Sequence, residues 1–404
     1  MLKSKYCIIF LLVLTGASLF VTPVNSADRK TPSLMAYTTI SVEEAKEWLL
    51  NSSDQYMQSD IFVLDVRTQT EYNTGYIEGA ILIPHTEINT TTELPTNKST
   101  PMLVYCGSGM RSANASRDLD ALGYTAVYNM DGGLNAWKAA GYFLTIPVLT
   151  FKQTILDNSD QYMQPDIFIL DARTQAEFDT GYINGATLVP HTTIKTSTDL
   201  PTNKTEPIYV YCGSGKRSAN ASQALEDLNY TSVRNMAGGL GAWQDAGYFL
   251  TIPVARAKTL IDSTPGLFIL DARTQAEYDA SHIVGAVLIP HTELASRASD
   301  LPSNKSETIL VYCGSGKRSA NASQTLEEFE YTSVKNMAGG LGAWTAAGYP
   351  TSLNETTSAP SSEEPSSEEE SESSTEENSG FGFGLFLLLV GILGVTTLIR
   401  RRKR

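Results

Sequence analysis

A threefold internal repeat constrains this chain more than any other feature. Leu64-Asp65-Val66-Arg67-Thr68-Gln69 returns as Leu170-Asp171-Ala172-Arg173-Thr174-Gln175 and again as Leu270-Asp271-Ala272-Arg273-Thr274-Gln275. Cys106-Gly107-Ser108-Gly109-Met110-Arg111-Ser112 returns as Cys212-Gly213-Ser214-Gly215-Lys216-Arg217-Ser218 and Cys313-Gly314-Ser315-Gly316-Lys317-Arg318-Ser319. A Gly-Gly-Leu-x-Ala-Trp segment ending at Trp137, Trp243 and Trp344 closes each copy. The period is 106 residues, then 101. Solenoid units are far shorter and need neighbours to bury their cores, whereas a hundred residues suffice for a small independent domain. The repeats predict domains at 34–147, 148–253 and 254–350.

Within the first repeat, continuous apolar runs at 61–64, 80–83, 102–105 and 126–129 predict strands buried on both faces. Segments 41–50, 112–122 and 133–140 predict helices. Strands alternating with helices imply an α/β fold: in each domain a doubly wound parallel sheet with helices on both faces. Sites in such sheets form at the carboxyl ends of strands. Cys106 follows a predicted strand directly and precedes a predicted helix.

The two ends differ from the middle. Residues 1–26 combine Lys3 and Lys5, an apolar run and small residues near Ser26, and predict a cleaved secretory signal. Residues 351–379 are rich in Ser, Glu, Thr and Pro and predict an extended, self-repelling stalk. Residues 381–399 carry no charge and precede five basic residues at 400–404, the pattern of a spanning helix with a cytoplasmic basic end. Ser379-Gly380-Phe381-Gly382-Phe383-Gly384, the apolar run and the basic cluster also resemble the C-terminal sorting signals of archaeal surface proteins. That resemblance implies cleavage and attachment to a lipid. Either way the expectation is an exported protein, held at the cell surface through its C-terminus with the domains outside. Setting aside the nine tail glutamates, the five terminal cations, Lys3 and Lys5 leaves a net charge of −12, which argues against nucleic acid as a partner.

The cysteine segment has the makings of a reactive site. A thiol acts as a nucleophile only as thiolate, and backbone N–H groups, a helix N-terminus and nearby cations lower its pKa. Gly107 and Gly109 let the backbone curl so that successive N–H groups face one cavity, and Arg111 and Ser112 open the helix beside it. The alternatives weaken on inspection. One buried structural cysteine would be unremarkable, but here three share a single frame. A disulfide framework does not suit three mature cysteines at equivalent places. One cysteine per domain with no neighbouring ligand makes no closed metal site, so neither metal nor cofactor is expected. A nucleotide loop requires Gly-Lys followed by Ser or Thr, whereas Lys216 and Lys317 precede arginine.

The order Asp-x-Arg, Glu-Tyr, Gly-x-Ile-x-Gly-Ala, Ile-Pro, Val-Tyr-Cys-x-x-Gly-x-Arg-Ser and Gly-Gly-x-x-Ala-Trp resembles the rhodanese domain of sulfurtransferases over nearly all of each repeat. The resemblance implies that Cys106, Cys212 and Cys313 accept a sulfane sulfur as persulfides. The anion would then bind Gly107, Ser108, Gly109 and Arg111 in repeat one, Gly213, Ser214, Gly215, Lys216 and Arg217 in repeat two, and Gly314, Ser315, Gly316, Lys317 and Arg318 in repeat three. Related dual-specificity phosphatases place five residues between cysteine and arginine; four lie between Cys106 and Arg111, as in the sulfur-transfer type. The implied donor is a small sulfur-containing anion such as thiosulfate, or a polysulfide. The implied acceptor is a thiol, cyanide or a protein cysteine. Met110 replaces the lysine of the other two loops and predicts a slower first domain. A surface scaffold that uses these modules only for binding is the alternative of a different class.

Overall fold

A computed structural model describes residues 37–52 and 59–355. The segments 1–26, 356–379 and 381–404, to which the leader, most of the stalk and the anchor were assigned, lie outside the described residues. Among the described residues no helix is long and apolar enough to cross a membrane.

In repeat one, β1 (Thr38–Ile40), α1 (Val42–Ser52), β2 (Phe62–Asp65), α2 (Gln69–Asn73), β3 (Ile81–Leu82), β4 (Met102–Tyr105), α3 (Met110–Ala121), β5 (Val127–Met130) and α4 (Gly133–Ala139) follow in order. The sheet runs β1-β5-β4-β2-β3, with every pairing parallel. The continuous apolar runs have the reason the sequence suggests: alternate residues of each strand serve different cores. Val63, Leu103 and Tyr105 pack with Trp137 on one face, and Leu64, Val104 and Cys106 pack with Leu119 on the other. Repeats two and three build five-stranded sheets of the same order, so three tandem doubly wound α/β domains are present.

Two elements escape the apolar-run reading. β1 is short and largely exposed, and α2 is a five-residue helix begun by a capping box between Thr68 and Glu71. The equivalent of β1 in the second sheet is β6 (Leu144–Ile146), which pairs with the strand Val233–Met236. It lies within the segment 34–147 assigned to repeat one. Leu250–Ile252 likewise pairs into the third sheet.

That placement joins consecutive repeats. Thr145 pairs with Asn235 on one side and exchanges two backbone hydrogen bonds with Tyr76 of repeat one on the other, at 2.8 and 2.9 Å. Thr251 and Tyr182 repeat the arrangement. Beside these bridges, Lys46 is buried 2.8 Å from Glu226, and Lys152 2.7 Å from Glu327. At repeat three Pro350 stands in place of Phe143 and Phe249, and Ser352 in place of Thr145 and Thr251. There Ser352 donates its N–H to the His282 carbonyl at 2.9 Å, while the His282 ring stacks on Tyr278.

The Asp-x-Arg motif is structural, as its strand-end position suggests. Arg173 grips the fully buried Asp171 through Nε and Nη2 and also donates to the carbonyls of Glu177 and Gly181. One side chain thereby fixes the turn after the strand. Arg173→Ala strands a buried carboxylate and is expected to destabilise the chain by about 3–5 kcal/mol, read as a lower urea midpoint at unchanged slope.

Candidate active site

Each cysteine directly follows a central strand and faces the start of the following helix. Its sulfur accepts a hydrogen bond from the third residue of the loop: Gly109 N–H to Cys106 at 3.2 Å, Gly215 to Cys212 at 3.2 Å, Gly316 to Cys313 at 3.1 Å. These glycines have φ of 90°, 92° and 89°, a left-handed conformation that side chains resist. A hydroxyl from the first helical turn completes the cradle, Ser112, Ser218 and Ser319 lying 3.5, 3.4 and 3.5 Å from the sulfurs. All three cysteines are free and buried. Burial pushes the Cys106 thiol up, but hydrogen bonds from the Ser112 hydroxyl and from the backbone of Ser112, Ser108 and Gly109 hold it below its ordinary value. Repeat one therefore has the same cradle, and differs in Met110, which is 75% exposed.

The Gly-Gly turn backs the loop. Leu134 and Asn135 donate their N–H groups to the carbonyls of Cys106 and Gly107 at 2.8 and 2.9 Å. Gly133, at φ 54°, approaches so closely that a Cβ there would overlap the Cys106 carbonyl. The tryptophan of the same helix is a core anchor: Trp137, Trp243 and Trp344 are buried with their indole N–H groups bonded to the carbonyls of Phe143, Phe249 and Pro350.

The loop arginine has a partner that the sequence reading did not identify. Arg111 makes a two-pronged pair with Glu71 at 2.6 and 2.8 Å, Arg217 with Glu177 at 2.5 and 2.7 Å, and Arg318 with Glu277 at 2.7 Å on both prongs. The glutamate is the one that closes the capping box of the short helix, so a local motif and a contact forty residues away share one carboxylate. Hydrogen bonding from Arg318, outweighing burial and helped by Thr274, holds Glu277 down to about 2. Because that lies below its ordinary 4.5, the pairing stabilises the native state fully above about pH 4.5 and is lost as pH falls through about 2. A carboxyl-carbon NMR titration of Glu277 is expected to show this late midpoint, and Arg318→Met to return it toward 4.5.

The remaining candidates sit around the cradle. Ser108, Ser214 and Ser315 are exposed at its rim, while Gly107, Gly213 and Gly314 lie against the arginines. Lys216 and Lys317 are exposed and line clefts shared with the preceding repeat. His85, His191 and His291 donate backbone N–H groups to Val66, Ala172 and Ala272. Burial and the Arg318 charge push the His291 imidazole below its ordinary value.

The rhodanese-like domain family matches residues 41–140, 154–246 and 254–347, and the chain belongs to that family through all three repeats. It is 39% identical over 72 residues to thiosulfate sulfurtransferase PspE of Escherichia coli, covering 18% of this chain and 68% of that protein. It is 30% identical over 106 residues to thiosulfate sulfurtransferase GlpE of Pseudoalteromonas translucida, covering 26% and 93%. Against YrkF of Bacillus subtilis it is 35% identical over 108 residues, 27% of this chain, and spans just over half, 57%, of that protein's length. Among solved structures, a rhodanese-like domain protein from Staphylococcus aureus is 34% identical over 25% of this chain and 90% of its own, with a TM-score of 0.22.

Proposed function

We propose that this chain is an extracytoplasmic sulfurtransferase or persulfide carrier of the thiosulfate sulfurtransferase kind. In this reading the thiolate of Cys106, Cys212 or Cys313 attacks the outer sulfur of thiosulfate, or a polysulfide sulfur. A new S–S bond forms on the cysteine, the donor's S–S bond breaks, and sulfite or the shortened polysulfide leaves with the electron pair. A second nucleophile, a thiol, cyanide or a protein cysteine, then attacks the outer persulfide sulfur and the cysteine departs as thiolate. The loop N–H groups stabilise the sulfur anion at the start and end of the cycle, joined in repeat one by the Ser112 hydroxyl, and the arginine, positioned by its glutamate, offers its remaining N–H groups to the donor.

The observation that carries this reading is the cradle itself. Three free cysteines each accept an N–H hydrogen bond at 3.1–3.2 Å at a helix start, in loops with four residues between cysteine and arginine. The names of PspE and GlpE support the choice of donor. Export and attachment to a membrane, through a spanning segment or a lipid, are supported by the residue patterns of 1–26 and 381–404. The test is formation of thiocyanate from thiosulfate and cyanide by the full-length chain. Turnover is expected, and its absence with both thiosulfate and polysulfide donors would favour a binding module instead.

A further inference from the structure

The second and third cysteine loops are not built by one repeat alone. A cleft of about 250 Å³ lies between Tyr76 and Glu78 of repeat one and Ser214, Gly215 and Lys216 of repeat two. Another, of about 280 Å³, lies between Gln164, Tyr182 and Asn184 of repeat two and Ser315, Gly316 and Lys317 of repeat three. Polar chains lead from each cleft to the sulfur. At the second site, Glu78 Oε2 accepts from the Thr145 hydroxyl and, at 2.9 Å, from Asn235 Nδ2. Asn235 Nδ2 also lies 3.4 Å from the carbonyl of Gly215, whose N–H donates to Cys212. At the third site, Ser319 beside Cys313 donates to Asn336 at 2.6 Å, Asn336 to Thr251 at 3.1 Å, and Thr251 to Asn184 at 2.9 Å.

Both chains use the same positions, a threonine at 145 or 251 and an asparagine at 235 or 336, though Asn235 bonds Glu78 directly while Asn336 reaches Asn184 only through Thr251. The residue lent by the preceding repeat is a carboxylate at 78 and an amide at 184. The charges of the loop and the adjoining strand end recur: Lys216, Arg217 with Glu177, Asp171 with Arg173, and His191 have counterparts in Lys317, Arg318 with Glu277, Asp271 with Arg273, and His291. We propose that each repeat sets the donor preference of the next. Glu78 offsets Lys216 and turns Cys212 away from anionic sulfur compounds, whereas the neutral Asn184 leaves Cys313 as the site for anions. This rests on the sulfur-transfer reading for its biological sense, but the charge effect is measurable without any sulfur chemistry.

Competitive alkylation of the reduced full-length chain by neutral iodoacetamide and anionic iodoacetate, read at each cysteine by peptide mass spectrometry, gives an anion-to-neutral rate ratio per site. The ratio is expected to be higher at Cys313 than at Cys212. One unit charge on the order of 10 Å away in a partly screened cleft is worth roughly 3- to 15-fold. Glu78→Gln, which keeps the hydrogen-bond acceptor, is expected to raise the ratio at Cys212 by that factor and leave Cys313 unmoved. Asn184→Asp is expected to lower it at Cys313 alone. A purely structural role would change both reagents together, leaving the ratios fixed, and that result overturns the proposal. Shifted ratios support it whether or not thiosulfate loads the cysteines, so its failure and the failure of the sulfur-transfer reading are separable.

Discussion

A chain carrying Cys106→Ser, Cys212→Ser and Cys313→Ser is expected to transfer no sulfur from thiosulfate to cyanide while folding as the parent does. Serine fits where each buried cysteine packs, and its hydroxyl takes up the same N–H hydrogen bond. It cannot supply a nucleophile, because its proton is held far more tightly than that of a thiol and no side chain in the described cradle is placed as a base for it. The loss should fall to the uncatalysed rate, not to a reduced one. The three single variants should each remove one site's share, with Cys313→Ser costing most when thiosulfate is the donor. Thiocyanate formation measures all four.

An effect on stability as large as that of Arg173→Ala is expected between repeats. Lys152 sits 2.7 Å from Glu327, with its ammonium 4.9–5.2 Å from the ring centres of Trp243, Tyr248 and Phe249. Glu327 also accepts the Phe249 N–H. Burial lowers the lysine pKa and raises that of the glutamate, each against the pull of its partner. The pair as a whole therefore adds little net stability, yet neither member tolerates losing the other. Lys152→Met is expected to cost about 3–5 kcal/mol. Adding Glu327→Gln, which removes the stranded charge and retains an acceptor for Phe249, should recover most of it. Urea unfolding of the two variants checks both statements. Equal loss in single and double variants would show that the ammonium's ring contacts, not the charge pairing, hold the joint.

The sheet and the cysteine loops were legible because their causes are local. Runs such as 102–105 are apolar throughout since each strand feeds two cores, and a glycine at 109 announces a backbone that only glycine adopts readily. Leu144–Ile146 was harder. The strand follows the Trp137 helix after a short turn at 140–143, and nothing local reveals that Thr145 pairs into the next sheet. Glu71 illustrates the same limit from another side. Its capping box with Thr68 follows a readable spacing, but its grip on Arg111 depends on how the sheet brings two strand ends together. The difference between Glu78 and Asn184 acquires meaning only once the repeats are seen to share a cleft. Sequence comparison of the repeats ranks the loops by Met110, Lys216 and Lys317, whereas the fold adds the residue that each loop receives from its neighbour.

Intact-mass measurement of the reduced full-length chain after incubation with thiosulfate tests the central claim most directly. The account predicts added mass in steps of one sulfur atom, mapped to Cys106, Cys212 and Cys313 and removed again by cyanide. No added sulfur with thiosulfate or polysulfide, while all three thiols remain free, would contradict it.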